Sequence, residues 1–305
     1  MALYAFDGTL DDDRNTGTDE PSIAKDTNVW KFYSAYDANT RSQGISNVYM
    51  PGVGTRFGAI GLVVGATFGA GWLDRINAAY DALCAAYTKG DRTIDIVGFS
   101  RGAAIALDFA NKVAQTGITR GGTVVEPDPT IRFVGLFDVV AAFGLANLGF
   151  VFSQLNVGHD FELPHQVQHC YHAIALDERR PSFVVTRVAG AYEIWFRGVH
   201  SDIGGGNENL GLNNITLRWL FRKAMLAGLP LSELNISDDA CHPEDRINPN
   251  FFSDLSQLTW RDLDAADTLH YTVALHQVLN DEPCRDLIPG APVETEAFER
   301  QRIAQ

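Results

Sequence analysis

The chain has 305 residues, of which 46% are hydrophobic and 20% are charged, a balance typical of folded globular proteins. Its formal net charge of −14 argues against a nucleic-acid partner, because an acidic surface repels the phosphate backbone. The same charge does not indicate contact with an anionic membrane surface. The four cysteines are scattered and form no CxxC pair, so they indicate neither a zinc site nor a disulfide framework and favour a reducing compartment.

The amino-terminal residues do not combine a basic stretch with a long apolar one, so no signal peptide is predicted. The chain is therefore expected to be cytoplasmic as synthesised, with signal-independent export as an open alternative. The most apolar segment, residues 57–73, carries five glycines and is too short for a typical membrane span. We interpret it as a loop that leads into a helix.

Strands and helices are predicted to alternate along the chain. The predicted strands are residues 3–6, 93–97, 131–140, 182–188 and 192–199. The predicted helices are residues 27–36, 73–88, 103–116 and 214–229. This order predicts an α/β fold in one domain over residues 1–305, with a largely parallel central sheet, helices on both faces and loop insertions. The active site of such a sheet lies beyond the carboxyl ends of its strands.

The first predicted strand ends in an Asp-Gly-Thr motif, residues 7–9, which resembles the opening of haloacid-dehalogenase-type phosphatases. Those enzymes carry a nucleophilic aspartate two residues before the conserved one, and here that position is Ala5. A methyl group can neither attack phosphorus nor bind Mg²⁺. A metal-dependent phosphatase requiring Asp7 is therefore a disfavoured alternative.

The sequence GFSRG, residues 98–102, joins a predicted strand to a predicted helix, which is the setting of a G-x-S-x-G nucleophile elbow. The flanking glycines allow a turn too tight for side chains, so that the Ser100 hydroxyl is exposed at its tip. The N–H of Arg101, at the start of the helix, is the expected donor to an oxyanion.

A serine hydroxyl needs a base that is itself oriented by a carboxylate. Asp138 ends the next apolar strand, so its side chain is expected beside Ser100, at a neighbouring strand tip. Two histidines are candidates for the base. His200 lies at a strand end in WFRGVHSDIGGG, and His270 lies in the carboxyl-terminal region, where the histidine of such a triad is usually found.

Several motifs together carry a family resemblance. They are FDGT (6–9), TNVWKFY (27–33), PGVGT (51–55), GFSRGAA (98–104), LFDVV (136–140), ALDERRPSF (175–183) and WFRGVHSDIGGG (195–206). In this order they resemble the α/β-hydrolase family that includes the type VI secretion phospholipase effectors. The resemblance implies a serine ester hydrolase of the esterase, lipase or phospholipase class that needs no cofactor or metal.

The resemblance also implies roles for individual residues. Ser100 is the nucleophile, Asp138 the acid and His270 the base, although the residues after His270 match the family only in part and leave His200 in reserve. A small ester or lipid is the implied substrate, and an immunity or secretion protein is a possible partner.

The same resemblance gives the Asp-Gly-Thr motif a role beside the elbow. The N–H groups of Gly8 and Thr9 complete an oxyanion hole with Arg101, and Asp7 holds the loop through local N–H bonds. Asp202 in the SDIGGG segment is expected to support the catalytic loop, with cation binding as the less favoured alternative.

Two further questions stay open from the sequence. Residues 141–165 begin with an apolar run that fits either a lid over the site or a helix buried in the core. The whole chain could also be a non-catalytic scaffold of the same fold that acts as a binding or toxin-associated module.

Overall fold

The structure is a computed structural model. It describes residues 1–8, 26–40, 46–52, 65–141, 162–207, 210–231, 240–247, 258–278, 282 and 284–295. Most of the predicted lid, residues 142–161, and Thr9 lie outside these residues.

Strands and helices alternate along most of the described chain. The strands are β1 (Ala2–Phe6), β2 (Val48–Met50), β3 (Ile94–Phe99), β4 (Ile118–Arg120), β5 (Thr123–Glu126), β6 (Ile131–Phe137), β7 (Val167–Ala175), β8 (Tyr192–Phe196), β9 (Thr268–His270) and β10 (Val293–Glu294). The α-helices are α1 (Asn28–Thr40), α2 (Gly65–Thr88), α3 (Arg101–Thr116), α4 (His200–Gly204) and α5 (Leu210–Leu226). Short 3₁₀ turns occur at Pro181–Phe183 and Tyr271–Ala274.

Eight strands form one sheet in the order β10-β9-β8-β7-β6-β3-β1-β2, and every neighbouring pair in it is parallel. The remaining two strands, β4 and β5, form a separate antiparallel hairpin. Because the eight strands share one direction, their carboxyl ends lie along one edge of the sheet. The segments that follow β3, β6, β7 and β8 therefore meet at that edge.

Helices cover both faces of the sheet, as the sequence predicted. Strand β1 shows why: Tyr4 and Phe6 pack into a core with α2 and α3, while Leu3 and Ala5 pack on the other side with α1 and α5. Both faces of the strand are buried, which requires the uninterrupted apolar run that the sequence has there.

The start of α1 follows from local hydrogen bonding. The Thr27 hydroxyl accepts the Trp30 N–H at 3.1 Å, so it satisfies one of the donors that a helix leaves unpaired in its first turn.

None of the helices in the described part of the chain is long and apolar enough to cross a membrane.

The strand predicted over residues 182–188 is wrong, and strand β7 was not predicted. Residues 182–188 form no strand, because they follow Pro181 and instead bond the segment after β6: the Thr186 N–H donates to the Val139 carbonyl at 2.8 Å. Strand β7 escaped prediction because its first half is polar and partly exposed, which hides the apolar pattern of its second half.

A buried charge lies in the middle of the sheet on β3. The Asp95 carboxylate accepts hydrogen bonds from the Arg132 guanidinium at 2.9 Å and 2.5 Å and from the Tyr36 hydroxyl at 2.7 Å. The Asp95 side chain has no exposed surface, so its charge depends on these partners.

Replacing Arg132 with alanine is expected to lower the free energy of unfolding by about 3 kcal/mol, because the carboxylate of Asp95 stays buried without its cation. Denaturant unfolding measures this change. The matched control is Arg120→Ala on the exposed hairpin, which should change stability by less than about 0.5 kcal/mol. Equal effects of the two substitutions would contradict the interpretation.

Candidate active site

Ser100 forms the turn between β3 and α3. Its backbone has φ 58° and ψ −125°, a conformation that side chains rarely adopt. Among the described residues other than glycine, Ser100 and Asp138 alone have a positive φ. Backbone strain of this kind costs about 1–3 kcal/mol per residue, and it persists only where the surrounding structure enforces it.

The two elbow glycines allow the close packing that enforces this turn. A Cβ on Gly98 would lie 2.6 Å from the Ala103 Cα, and a Cβ on Gly102 would lie 2.3 Å from the Phe6 carbonyl oxygen. Both contacts are with backbone that cannot move aside. The glycines therefore let α3 and the end of β1 press against the turn that carries Ser100.

The Ser100 hydroxyl lies at the end of a hydrogen-bonded chain of three side chains. His200 Nε2 is 2.8 Å from Ser100 Oγ, and His200 Nδ1 is 2.5 Å from Asp138 Oδ2. All three residues are buried. With Nδ1–H donating to the carboxylate, Nε2 presents its lone pair to the serine proton, which is the tautomer that a general base requires.

The electrostatics of the pair suit this arrangement. Burial alone would raise the pKa of Asp138, but the Arg261 guanidinium and the His200 hydrogen bond hold it well below its usual range. Burial lowers the pKa of His200, although its hydrogen bond with Asp138 opposes this. The imidazole is therefore neutral and the carboxylate ionised at neutral pH.

Packing and capping fix the position of His200. The ring lies between Phe99 and Phe183, with each pair of ring centroids 4.7 Å apart. Asp202 Oδ2 accepts the Val199 N–H at 2.9 Å and so caps α4, the helix that begins at His200. Asp202 thus bonds the backbone of the loop at the start of α4.

A second buried carboxylate, that of Glu178, bonds the loop that carries His200. Glu178 Oε2 accepts the His200 N–H at 3.1 Å, and the Arg180 guanidinium donates to both oxygens of Glu178. Burial would raise the pKa of Glu178, but Arg180 lowers it below the usual value. Glu178 of the LDERR segment therefore holds the backbone of His200.

The structure corrects the choice of His270 as the partner of Ser100. His270 ends β9, which is four strands from β3, or about 19 Å at the usual strand spacing. Its Nδ1 bonds the Thr272 hydroxyl at 2.8 Å, and its ring stacks on Phe196. His200 reaches Ser100 because the glycine turn after β8, with φ 115° at Gly198, folds back over the strand ends.

Sequence reasoning missed Arg261. Its guanidinium donates two hydrogen bonds to the Asp138 carboxylate. Nη1 donates to Oδ1 at 2.6 Å, and Nη2 donates to Oδ2 at 2.9 Å. It also donates to the carbonyls of Ala175 and Phe183. The residue lies in a polar segment without strand or helix periodicity, so no pattern distinguished it from a surface arginine.

His172, on β7, supports the segment that follows β6. Its Nε2 accepts the N–H of Val139, the residue after Asp138, at 3.0 Å, and its Nδ1 lies 2.9 Å from Glu193 Oε1. A neutral imidazole with its proton on Nδ1 satisfies both contacts. The bond to Val139 holds the backbone next to the strained Asp138 position.

The predicted oxyanion donors have different environments. Arg101 is the first residue of α3, where the backbone N–H groups point away from the helix. The Gly8 N–H donates instead to Asp7 Oδ1 at 2.7 Å, so it is engaged locally. Asp7 Oδ2 accepts the hydroxyls of Thr27 and Tyr49, both at 2.6 Å. Asp7 therefore bonds its own loop, the start of α1 and β2. Thr9 lies outside the described residues.

The parallel sheet, its two helical layers and the serine on a strand-to-helix turn define an α/β-hydrolase-like fold. The family model described as "T6SS, Phospholipase effector Tle1-like, catalytic domain" matches residues 3–125 and 119–223, which together span more than half of the chain. The protein therefore belongs to this family of type VI secretion system (T6SS) phospholipase effector catalytic domains. No curated protein matches it significantly.

One solved structure supports this fold, and a second is reported with it. A crystal structure of an uncharacterized protein from Pseudomonas aeruginosa is 22% identical with a TM-score of 0.51, and the match covers 76% of this chain and 46% of that one. A structure of the Tle1 effector bound to the VgrG spike is 24% identical with a TM-score of 0.42, covering 69% and 51%. The chain thus spans about half the length of the solved structures that it matches.

The buried histidines predict how stability depends on pH. Burial lowers the pKa of His270 well below its usual range, and the nearby Lys223 and Arg222 charges lower it further. The folded chain keeps this ring neutral, whereas the unfolded chain protonates it near pH 6.5. The free energy of unfolding should therefore fall as pH drops below about 6.5, by up to about 1.4 kcal/mol per pH unit for each such histidine.

Denaturant unfolding between pH 7.5 and pH 5 measures this slope, and His270→Gln should make it shallower. His165→Gln, which removes a histidine with an 81% exposed side chain, is the matched control and should leave the slope unchanged. An unchanged slope in His270→Gln would show that the folded chain protonates this ring.

Proposed function

We propose that the chain is a serine hydrolase that cleaves the carboxylic esters of phospholipids through an acyl-enzyme. The observation that carries the proposal is the chain of contacts from Ser100 through His200 to Asp138, with atom separations of 2.8 Å and 2.5 Å. A scaffold without catalytic function has no need of a strained serine whose hydroxyl faces a neutral, oriented imidazole.

The reaction would begin with attack of Ser100 Oγ on the ester carbonyl carbon, while His200 Nε2 takes the hydroxyl proton. The tetrahedral intermediate carries an oxyanion, which the N–H at Arg101 would stabilise from the first turn of α3. Collapse of the intermediate breaks the bond to the alcohol, which leaves with the proton from Nε2. A water molecule then attacks the acyl-enzyme by the same route and releases the fatty acid.

Asp138 would keep the imidazole in the Nδ1–H tautomer and stabilise the imidazolium that forms in each step. Arg261 is a positioning residue in this scheme. Its two parallel bonds fix the plane of the carboxylate, so that Oδ2 faces the ring. The guanidinium also keeps the carboxylate ionised in a site that excludes water.

The substrate class rests on the family, whose description is that of a phospholipase effector. Esters are the bonds that this arrangement can cleave, and phospholipids contain two of them in the glycerol backbone. The same family membership supports a secretion-related partner, and signal-independent export would follow from it. The metal-dependent phosphatase stays the disfavoured alternative, because both oxygens of Asp7 are engaged by Gly8, Thr27 and Tyr49.

Ser100→Ala is expected to lower kcat on phospholipid vesicles by at least about 10⁴-fold, because no other hydroxyl replaces the nucleophile. A fluorophosphonate probe should label Ser100 in the wild-type chain, as mapped by mass spectrometry, and should not label the variant. Ser34→Ala, on the exposed side of α1, is the matched control and should keep full labelling and activity.

A pair of histidine substitutions separates the proposed base from the one that the sequence favoured. His200→Gln should abolish labelling, whereas His270→Gln should retain it within a few-fold. Loss of labelling in the folded His270→Gln variant, with labelling kept in His200→Gln, would contradict the assignment.

Arg261→Met is expected to lower kcat by about 10- to 100-fold, because the carboxylate loses the contacts that fix its plane. The nearby guanidinium also lowers the pKa of His200, so its removal should move the acid limb of the kcat/KM profile to higher pH. Arg179→Met, which removes an arginine stacked on Trp260, is the control for a merely local packing change. An acid limb that does not move would contradict the inferred effect of Arg261 on the pKa of His200.

A further inference from the structure

Three side chains of metal-binding types converge away from the catalytic centre. His276 Nε2 lies 3.2 Å from Glu282 Oε2 and 3.6 Å from Cys284 Sγ, and all three atoms lie within 4.8 Å of one another. The side chains of His276 and Glu282 have no exposed surface, and Cys284 is half-buried. The scattered cysteines had predicted no such site, because these three residues match no recognised ligand spacing.

The separations match the edges of a tetrahedron around zinc. Zinc binds histidine nitrogen and carboxylate oxygen at about 2.0–2.1 Å and thiolate sulfur at about 2.3 Å. Tetrahedral angles then place nitrogen about 3.3 Å from oxygen and about 3.6 Å from sulfur. The observed 3.2 Å and 3.6 Å separations agree with both values.

Outer contacts orient two of these groups toward the same point. His276 Nδ1 lies 2.7 Å from the Pro243 carbonyl oxygen, so its N–H donates there and directs Nε2 at the cluster. The Ile247 N–H donates to Glu282 Oε1 at 2.5 Å, which leaves Oε2 facing His276. Backbone partners of this kind hold the ligands in most protein metal sites.

We propose that His276 Nε2, Glu282 Oε2 and Cys284 Sγ bind one zinc ion, with a solvent molecule as the fourth ligand. The ligand set selects the metal, because Mg²⁺ and Ca²⁺ require oxygen ligands throughout. Binding would replace the thiol proton of Cys284, which is released to solvent, so that a thiolate, a carboxylate and a neutral imidazole surround the cation.

The ion would stabilise the backbone segment around Cys284, which contacts residues near the active site. Arg285, next to Cys284, donates its N–H to Asp177 at 2.8 Å and accepts a bond from Arg197 at 2.9 Å. The Arg285 guanidinium also bonds the Arg261 carbonyl oxygen. The zinc site would thus hold the segment that positions Arg261 against Asp138, without contacting the reacting atoms.

The competing arrangement is a buried ion pair between a protonated His276 and Glu282, with Cys284 as a thiol and no metal. Metal content distinguishes the two. The full chain, expressed without a histidine tag and dialysed against zinc and then zinc-free buffer, should retain about one zinc per chain by mass spectrometry of the metal. Cys284→Ser should lose it, and the matched control Cys84→Ser, whose thiol lies beside Thr119, should retain it.

Two measurements on the wild-type chain keep the test independent of how the variant folds. Cobalt in place of zinc should give a sulfur-to-metal charge-transfer band, and a chelator should lower Tm by about 5 °C, with zinc restoring it. A wild-type chain that retains no zinc and shows no change in Tm would overturn the proposal. Retention of zinc by both Cys284→Ser and a folded His276→Gln would also overturn it. Neither readout depends on hydrolysis, so the result stands apart from the proposed esterase activity.

Discussion

The carboxylate of Asp138 is fully buried at the carboxyl end of β6, and the rest of the site is arranged around it. A buried charge is tolerated only when its hydrogen-bonding capacity is filled by well-placed donors. Here the donors come from three separate parts of the chain: the Ala175 N–H, the Arg261 guanidinium and the His200 ring. Meeting this one requirement brings together the ends of β6, β7 and β8 and a segment far along the sequence.

The same requirement accounts for where strain is stored. Asp138 has φ 43°. Its own N–H donates to the Ala173 carbonyl, and the N–H of Val140, two residues on, donates to the Ser100 carbonyl. Gly98 and Gly102 let α3 and the end of β1 pack closely against the turn that carries Ser100. The two strained residues are therefore locked to each other across neighbouring strands. Such strain holds the serine hydroxyl and the carboxylate at a fixed separation, as the proposed roles of nucleophile and acid require.

The arginines are the least expected part of the molecule. The chain carries a formal charge of −14, yet buried carboxylates at Asp95, Asp138, Asp177 and Glu178 each have an arginine partner. The paired arginines offset the cost of burying these four carboxylates. The contact of Arg261 with Asp138 thus joins the end of β6 to the segment that precedes β9.

The sequence by itself determined the α/β fold, the two-sided sheet, the elbow at Ser100 and the strand-end position of Asp138. Each of these follows from a local pattern: an apolar run, a glycine-flanked turn, or a polar residue where a strand stops. Only the tertiary structure decided between His200 and His270 and revealed Arg261, because both questions turn on which strand ends and loops meet at one edge of the sheet. Strand order and the fold-back at Gly198 set that meeting, and neither leaves a periodic signal in the residues themselves.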